Sequence, residues 1–150
     1  MFVLEEDKET HVSTPSLYRH YKDKYDVMND NYKRILNQYM HSSQNHNYED
    51  IFINLFNMSK ELHYLKNAFD YTGINSLGDF IYQYSYNTVI WMCKRKNIQF
   101  EDKDLLLLDV FCGGASIMYQ HYILGKFDLS PQQAGKTLYQ MFPDVFKISW

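Results

Sequence analysis

Apolar residues recur along most of this chain at intervals of three and four, which places them on one face of an α-helix. The two clearest stripes consist of Leu77, Phe80, Ile81, Tyr84, Thr88, Trp91 and Met92, and of Leu105, Leu108, Cys112, Ala115, Tyr119 and Tyr122. A third and shorter stripe lies in residues 28–39. No convincing alternation of period two, the mark of a strand, is present. The pattern therefore predicts a short helix pair at 3–21 and helices at 23–41, 48–59, 61–71, 76–96, 103–125 and 130–141.

The residues that begin and end helices mark the same boundaries. A long stretch without proline precedes Pro131, which favours long helices. The polar cluster at residues 42–47 predicts a loop. Ser76, with Asp79 three residues on, is a suitable N-cap, and Ser130 followed by proline is another. The apolar end of the sequence, residues 142–150, is expected to pack against its own chain or against a partner.

Composition narrows the class of protein. The chain has 150 residues, enough for one compact domain, and its aromatic content of 17% suggests a core or pocket lined by large planar side chains. A net charge of −3 excludes a basic field over the whole chain. Two cysteines outside any CxxC pattern favour a reducing compartment. We find no signal-peptide layout and no membrane-spanning run, so we expect a cytoplasmic protein.

The segment VSTPSLYRHYKDKYDVM at residues 12–28 has the physics of the second half of a helix-turn-helix. Ser13 or Thr14 caps a helix whose first turn tolerates Pro15. The segment resembles the end of the DNA-binding head in the TetR family of bacterial regulators, which has a stretch like VS…TLYRHFKDKEDLL. The residues that this resemblance and the helix geometry assign to DNA contact are Thr14, Pro15, Ser16, Tyr18, Arg19, His20 and Lys24.

The resemblance to the TetR family covers about residues 11–142. MSKELHYL at 58–65 is similar to the family's ENRELYRAL segment, and LSPQQ at 129–133 is similar to its LSPEE. FCGGASI at 111–117 is similar to the F…GG…GL helix at the family's dimer interface. An all-α fold is therefore implied, with a partial helix-turn-helix DNA-binding region at 1–22 and a ligand-binding and dimerisation domain at 23–150.

The N-terminal segment departs from the family pattern. The first of the three head helices has no counterpart in this sequence, and Glu6 and Asp7 stand where the family packs apolar residues. His11 stands where the family has the glycine of the turn. Each large apolar side chain that loses its burial forfeits about 1.5–3 kcal/mol, so we expect a poorly folded head. An incomplete chain, a misassigned start and a regulator that has lost DNA binding all fit this pattern.

The resemblance implies a homodimer that senses a small apolar or aromatic ligand and adjusts its affinity for operator DNA. Glycine inside a helix costs about 1 kcal/mol against alanine, so a helical Gly-Gly pair predicts close helix approach, across a dimer or within one subunit. The expected dimer contacts are Gly113, Gly114, Ile117, Leu138 and Met141. The aromatic residues expected in a ligand pocket, or else in the plain core, are Tyr64, Phe69, Tyr84, Trp91, Phe111 and Tyr119.

Enzymatic and metal chemistry have little support in the sequence. The six histidines form neither HxxxH nor HExxH, so we expect no metal site and no cofactor. The GKT sequence at 135–137 matches only the end of a P-loop and lies in a predicted helix. We therefore expect a regulator and not an enzyme. The main alternative is an interaction module that dimerises without binding DNA, and an all-α enzyme is a weaker one.

Overall fold

The protein is all-helical in the part of the chain that its computed structural model describes, residues 24–40, 44–59 and 76–150. These ranges contain five α-helices and a short 3-10 helix, and no β-strand. In chain order the helices are α1 (Lys24–Met40), α2 (Tyr48–Ser59), α3 (Leu77–Arg95), α4 (Asp102–Ile123), α5 (Pro131–Met141) and the 3-10 helix (Asp144–Phe146).

The expected all-α class is confirmed for the described residues, and each of the five helices begins and ends within two residues of its predicted bounds. The helix pair predicted at 3–21 and the helix predicted at 61–71 lie outside the described residues.

Local capping bonds fix the starts of α3 and α5. The Ser76 hydroxyl accepts the Asp79 backbone N–H at 3.0 Å. The Ser130 hydroxyl accepts the Gln133 backbone N–H at 3.1 Å, and the Gln133 side chain accepts the Ser130 N–H in return at 3.0 Å. Each bond satisfies a backbone donor that has no partner within the helix, which confirms both predicted N-caps.

The five helices pack in two tight pairs, α2 with α5 and α3 with α4, and α1 lies against α2 and α3. The first pair approaches closely at Gly135, where an added Cβ would lie 2.6 Å from the backbone nitrogen and Cα of Ile53. Glycine is therefore required at this position by packing between helices, and not by phosphate binding. Across the second pair, the Ser116 hydroxyl donates to the Gly78 carbonyl at 2.7 Å.

The predicted apolar stripe on α4 faces the core. On α3, the buried face is rotated about the helix axis relative to the predicted stripe. Leu108, Cys112 and Tyr119 of α4 are buried, as their spacing predicts. On α3 the buried residues are Leu77, Ile81, Val89 and Cys93, whereas Trp91, which the predicted stripe included, is 55% exposed. Apolar residues occur on most sides of α3, so the spacing alone did not determine which arc of this helix packs inward.

The C-terminal segment packs against its own chain. Phe146 in the 3-10 helix is fully buried. The Trp150 backbone N–H donates to the His46 carbonyl at 2.8 Å, and an isolated antiparallel bridge joins Asn47 to Ser149. The Trp150 ring also meets the Tyr48 ring edge to face at 5.3 Å. The end of the chain thus covers the start of α2 and forms one wall of the candidate site.

Candidate functional site

A small, partly open cavity of about 70 Å³, here called the inner cavity, lies among all five helices. Its lining is almost entirely apolar and aromatic, the lining that favours a nonpolar group. The residues that line it are Tyr32, Leu36, Tyr48, Ile51, Phe52, Leu55, Ile81, Tyr84, Ser85, Thr88, Val89, Phe111, Cys112, Ala115, Tyr119, Leu138 and Phe142.

Tyr48 supplies an unsatisfied polar group to this lining. Its side chain is 3% exposed, and its hydroxyl has no hydrogen-bond partner among the described residues. Burial raises the pKa of this phenol, and the neighbouring thiols of Cys93 and Cys112 add to the effect, so the group stays protonated and can donate. A buried donor without a partner costs about 1–3 kcal/mol, and a bound acceptor atom would recover that cost.

The two cysteines are buried free thiols beside this cavity. Burial raises the pKa of the Cys93 thiol, and burial together with the Asp109 carboxylate raises the pKa of Cys112 to about 12. Only the thiolate is a strong nucleophile or metal ligand, so both thiols are inert at neutral pH. They serve here as small apolar residues of the core.

These shifts predict a loss of stability in alkaline solution. The folded state holds the Cys112 proton more tightly than the unfolded chain, whose thiol has a pKa near 9. The stabilisation that the Cys112 proton contributes is therefore fully present below pH 9 and is lost as the pH rises towards 12, by about 1.4 kcal/mol per pH unit.

Urea unfolding between pH 8 and 11 measures this slope. In Cys112→Ala the free energy of unfolding should fall less steeply between pH 9 and 10, because one titrating thiol has been removed. This difference in slope does not depend on how the substitution changes the absolute stability. An unchanged slope in the variant would show that Cys112 is not the titrating group.

A larger and more polar opening, here called the outer cleft, lies outside the inner cavity between α1, α3 and the end of the chain. Its volume is about 1020 Å³, which compares with roughly 300–1,000 Å³ for typical ligand pockets. The residues that line it are Lys33, Asn37, Asn45, His46, Ile51, Phe80, Gln83, Tyr84, Asn87, Thr88, Trp91, Met92, Arg95, Lys96 and Trp150.

The inner cavity and the outer cleft are adjacent compartments. Ile51, Tyr84 and Thr88 line both of them and form the wall between them. The Tyr84 hydroxyl donates to the Asn37 side-chain oxygen at 2.6 Å, which ties α3 to α1 at this wall. A molecule in the outer cleft could reach the inner cavity with a small apolar group by displacing these side chains.

A third feature, here called the α4–α5 face, is an exposed apolar surface. Leu107 and Val110 of α4 and Met141 of α5 lie on it, and Met141 is 73% exposed. The full lining is Leu107, Val110, Phe111, Gly114, Ala115, Met118, Tyr122, Phe127, Leu129, Ala134, Thr137, Leu138, Met141 and Pro143. Because α4 also buries apolar residues on its inner side, it is apolar on two opposite sides, and a helix of this kind favours cover on both.

Three side chains connect the α4–α5 face to the inner cavity. Phe111, Ala115 and Leu138 line both features. The barrier between the cavity and the outer surface is therefore only one side chain thick at these positions. A group that fills the cavity contacts these side chains and moves them if it exceeds the free volume, because a packed interior does not deform without moving its neighbours.

In the described part of the chain, the helical glycines that predicted close helix approach have no close neighbour on another helix. A Cβ added at Gly113 or Gly114 would meet nothing within 4 Å among the described residues. Ile117, one turn further on, is 56% exposed, whereas Leu138 is buried. Of the five residues predicted for the dimer interface, Gly114, Leu138 and Met141 line the α4–α5 face.

The structure divides the predicted ligand-pocket residues between the two compartments. Phe111 and Tyr119 line the inner cavity, Trp91 lines the outer cleft, and Tyr84 lines both. Tyr64 and Phe69 lie outside the described residues, as do the predicted DNA contacts Thr14, Pro15, Ser16, Tyr18, Arg19 and His20. Lys24 begins α1, but its side chain is also outside the described part.

Several site residues were not found by sequence reasoning. Tyr48 precedes an ordinary apolar stripe, and nothing in the sequence marks its hydroxyl as unsatisfied. Lys33, Arg95 and Lys96 have the pattern of solvated helix ends or faces. Val110 could have been found, because apolar residues on two opposite sides of a predicted helix are a signal for a second contact.

Among the described residues, no group of three or more His, Cys, Asp or Glu side chains is placed to hold a metal ion. No helix in the same ranges has the length and apolar character needed to cross a membrane. We find no match of the chain to a protein-family model, to a curated protein or to a solved structure.

Proposed function

We propose that this chain is a one-component transcriptional regulator of TetR type. The helical domain takes a small ligand at the inner cavity and outer cleft, and it dimerises through the α4–α5 face. The observation that carries the proposal is that Phe111, Ala115 and Leu138 line both the inner cavity and the α4–α5 face. A ligand in the cavity therefore acts on the same side chains that a partner would cover.

The partner at the α4–α5 face is a second copy of this chain. The surface is formed by α4 and α5. Two copies of the chain related by a twofold axis would therefore form a four-helix contact, in which each copy covers the apolar surface of the other. The open space at Gly114 permits close approach of the partner helix. Exposed contiguous apolar surface of this kind marks an interaction site in a folded protein.

The mechanism is a shift of population between two arrangements of the dimer. A ligand can shift that equilibrium only by binding one arrangement more tightly than the other. Displacement of Phe111 or Leu138 supplies such a difference, because each arrangement packs these side chains differently across the interface. The change of spacing then alters the affinity of the two N-terminal segments for operator DNA.

Fluorescence anisotropy on DNA from upstream of its own coding sequence tests the proposal. The chain should bind this fragment in preference to random DNA, with an affinity that falls steeply with salt because bound phosphates release counterions. Arg19→Ala should weaken binding about tenfold or more, as expected for a side chain that contacts bases or phosphates.

Lys136→Gln, which removes an exposed cation on α5, is the matched control and should leave the affinity unchanged. Binding to the upstream fragment no tighter than to random DNA would contradict the operator part of the proposal. That result would favour a dimerising co-regulator that does not contact DNA.

A further inference from the structure

The outer cleft is positively charged, although the chain as a whole carries a net charge of −3. Lys33, Arg95 and Lys96 line it, and no Asp or Glu side chain is found among the described residues of its lining. None of these three cations forms an ion pair with a described carboxylate. Their positive potential is therefore available to a bound anion, and a cleft with low-dielectric walls concentrates that potential.

Aromatic side chains form part of the wall of the outer cleft. Trp91, Trp150, Phe80 and Tyr84 contribute four aromatic rings, and the Arg95 guanidinium lies 5.2 Å from the centre of the Trp91 ring. This cation-π contact holds the guanidinium beside an exposed aromatic surface. A guanidinium is suited to bind a carboxylate or sulfonate with two parallel hydrogen bonds, while the rings are suited to stack on a flat apolar body.

We propose that the outer cleft binds a small aromatic anion, an arene that carries one carboxylate or sulfonate group. The acidic group pairs with Arg95 and Lys96, and the ring stacks between Trp91 and Trp150. A small apolar part of the ligand reaches the inner cavity past Tyr84 and Thr88, which line both compartments. This inference rests on the proposed function and names the chemical class of its ligand. The volumes of the two compartments favour this assignment, because the inner cavity at about 70 Å³ is too small for a whole aromatic molecule and the outer cleft at about 1020 Å³ is not.

A neutral apolar ligand would bind the outer cleft less tightly. It would leave the cations of the outer cleft without a counter-charge and would take up only the stacking surface. The charged group of an aromatic anion instead gains charge-assisted hydrogen bonds, which are about twice as strong as those between neutral groups. The sensing site should therefore discriminate between two molecules that share one aromatic body and differ in one negative charge.

Two dyes make this comparison directly. 8-Anilino-1-naphthalenesulfonate and N-phenyl-1-naphthylamine have the same aromatic body, and only the first carries a sulfonate. The chain has two tryptophans, and both line the outer cleft, so energy transfer from tryptophan to dye reports binding to the folded chain, and the double variant described next shows whether the anionic dye lies in the outer cleft. We expect the anionic dye to bind at least about tenfold more tightly than the neutral dye.

The double variant Arg95→Gln, Lys96→Gln separates charge from stacking. It should lower the affinity for the anionic dye about tenfold and leave the affinity for the neutral dye nearly unchanged. The matched control Lys126→Gln, Lys136→Gln removes two exposed cations outside the outer cleft and should change neither affinity.

The possible failures are distinguishable. The assignment of an anionic ligand would be wrong if the wild-type chain binds the two dyes with equal affinity. It would also be wrong if the double variant binds the anionic dye as tightly as the wild-type chain does. Neither result would contradict the sensing site itself. If neither dye transfers energy from tryptophan in the folded wild-type chain, the sensing site itself is wrong, and the proposed function fails with it.

Discussion

Replacing Val110 and Met141 by aspartate is expected to convert a dimer of this chain into folded monomers. The two side chains are 67% and 73% exposed, and both lie on the α4–α5 face. In the proposed dimer they become buried, and the substitutions would place four carboxylates in an apolar interface. Burying a carboxylate without a partner costs several kcal/mol, so the dissociation constant should rise a hundredfold or more.

Sedimentation equilibrium measures the dissociation constant, and circular dichroism checks the fold. Exposed substitutions usually change the stability of a subunit by about 0.5 kcal/mol or less, so the helical signal should remain. The control variant Gln99→Asp, Gln132→Asp adds the same charge at exposed positions outside the α4–α5 face and should stay dimeric. If the wild-type chain is monomeric at all concentrations, or if the face variant still dimerises, the assigned interface is wrong.

The second large effect is expected at Gly135, where α5 approaches α2. An alanine Cβ there would lie 2.6 Å from the Ile53 backbone nitrogen and Cα, so the two helices must separate to admit it. Overpacking costs about 3 kcal/mol where rigid backbone has to move. The better helix propensity of alanine returns about 1 kcal/mol of that cost. The expected result is a net loss of about 2 kcal/mol in the free energy of unfolding.

Gly78→Ala is the matched control for this substitution. Gly78 also lies in a helix, but its added Cβ would be 3.8 Å from its nearest neighbour outside the helix backbone, the Ser116 hydroxyl oxygen, which is an ordinary contact. Urea unfolding should therefore separate the two variants. The free energy of unfolding should fall clearly in Gly135→Ala, and it should stay the same or rise slightly in Gly78→Ala. Similar stabilities of the two variants would contradict the close approach of α2 and α5.

Gly135 also illustrates where sequence reasoning fails. Its place in a GKT sequence suggested only a comparison with the end of a P-loop, and nothing nearby in the sequence indicated a contact with Ile53, 82 residues earlier. The need for glycine arises from the distance between two helix axes. That distance depends on the whole core, and no local pattern records it.

The candidate site was predicted as a set of residue types and not as an arrangement. Aromatic spacing predicted Tyr84, Trp91, Phe111 and Tyr119 as pocket residues, and the structure distributes them between two adjacent compartments. The charged wall of the outer cleft could not be predicted, because Lys33 and Arg95 come from different helices. A basic residue near a helix end has the same local pattern whether it faces solvent or a ligand.

The sequence by itself determined the helical class and the bounds of the described helices. Both follow from interactions within a few residues, namely the three- and four-residue spacing of apolar side chains and capping bonds such as those of Ser76 and Ser130. Only the tertiary structure decided the rotation of α3 about its axis, the buried environment of the Tyr48 hydroxyl, and the three side chains shared by the inner cavity and the α4–α5 face. These features depend on contacts between residues far apart in the chain, which are set by how all the helices pack together.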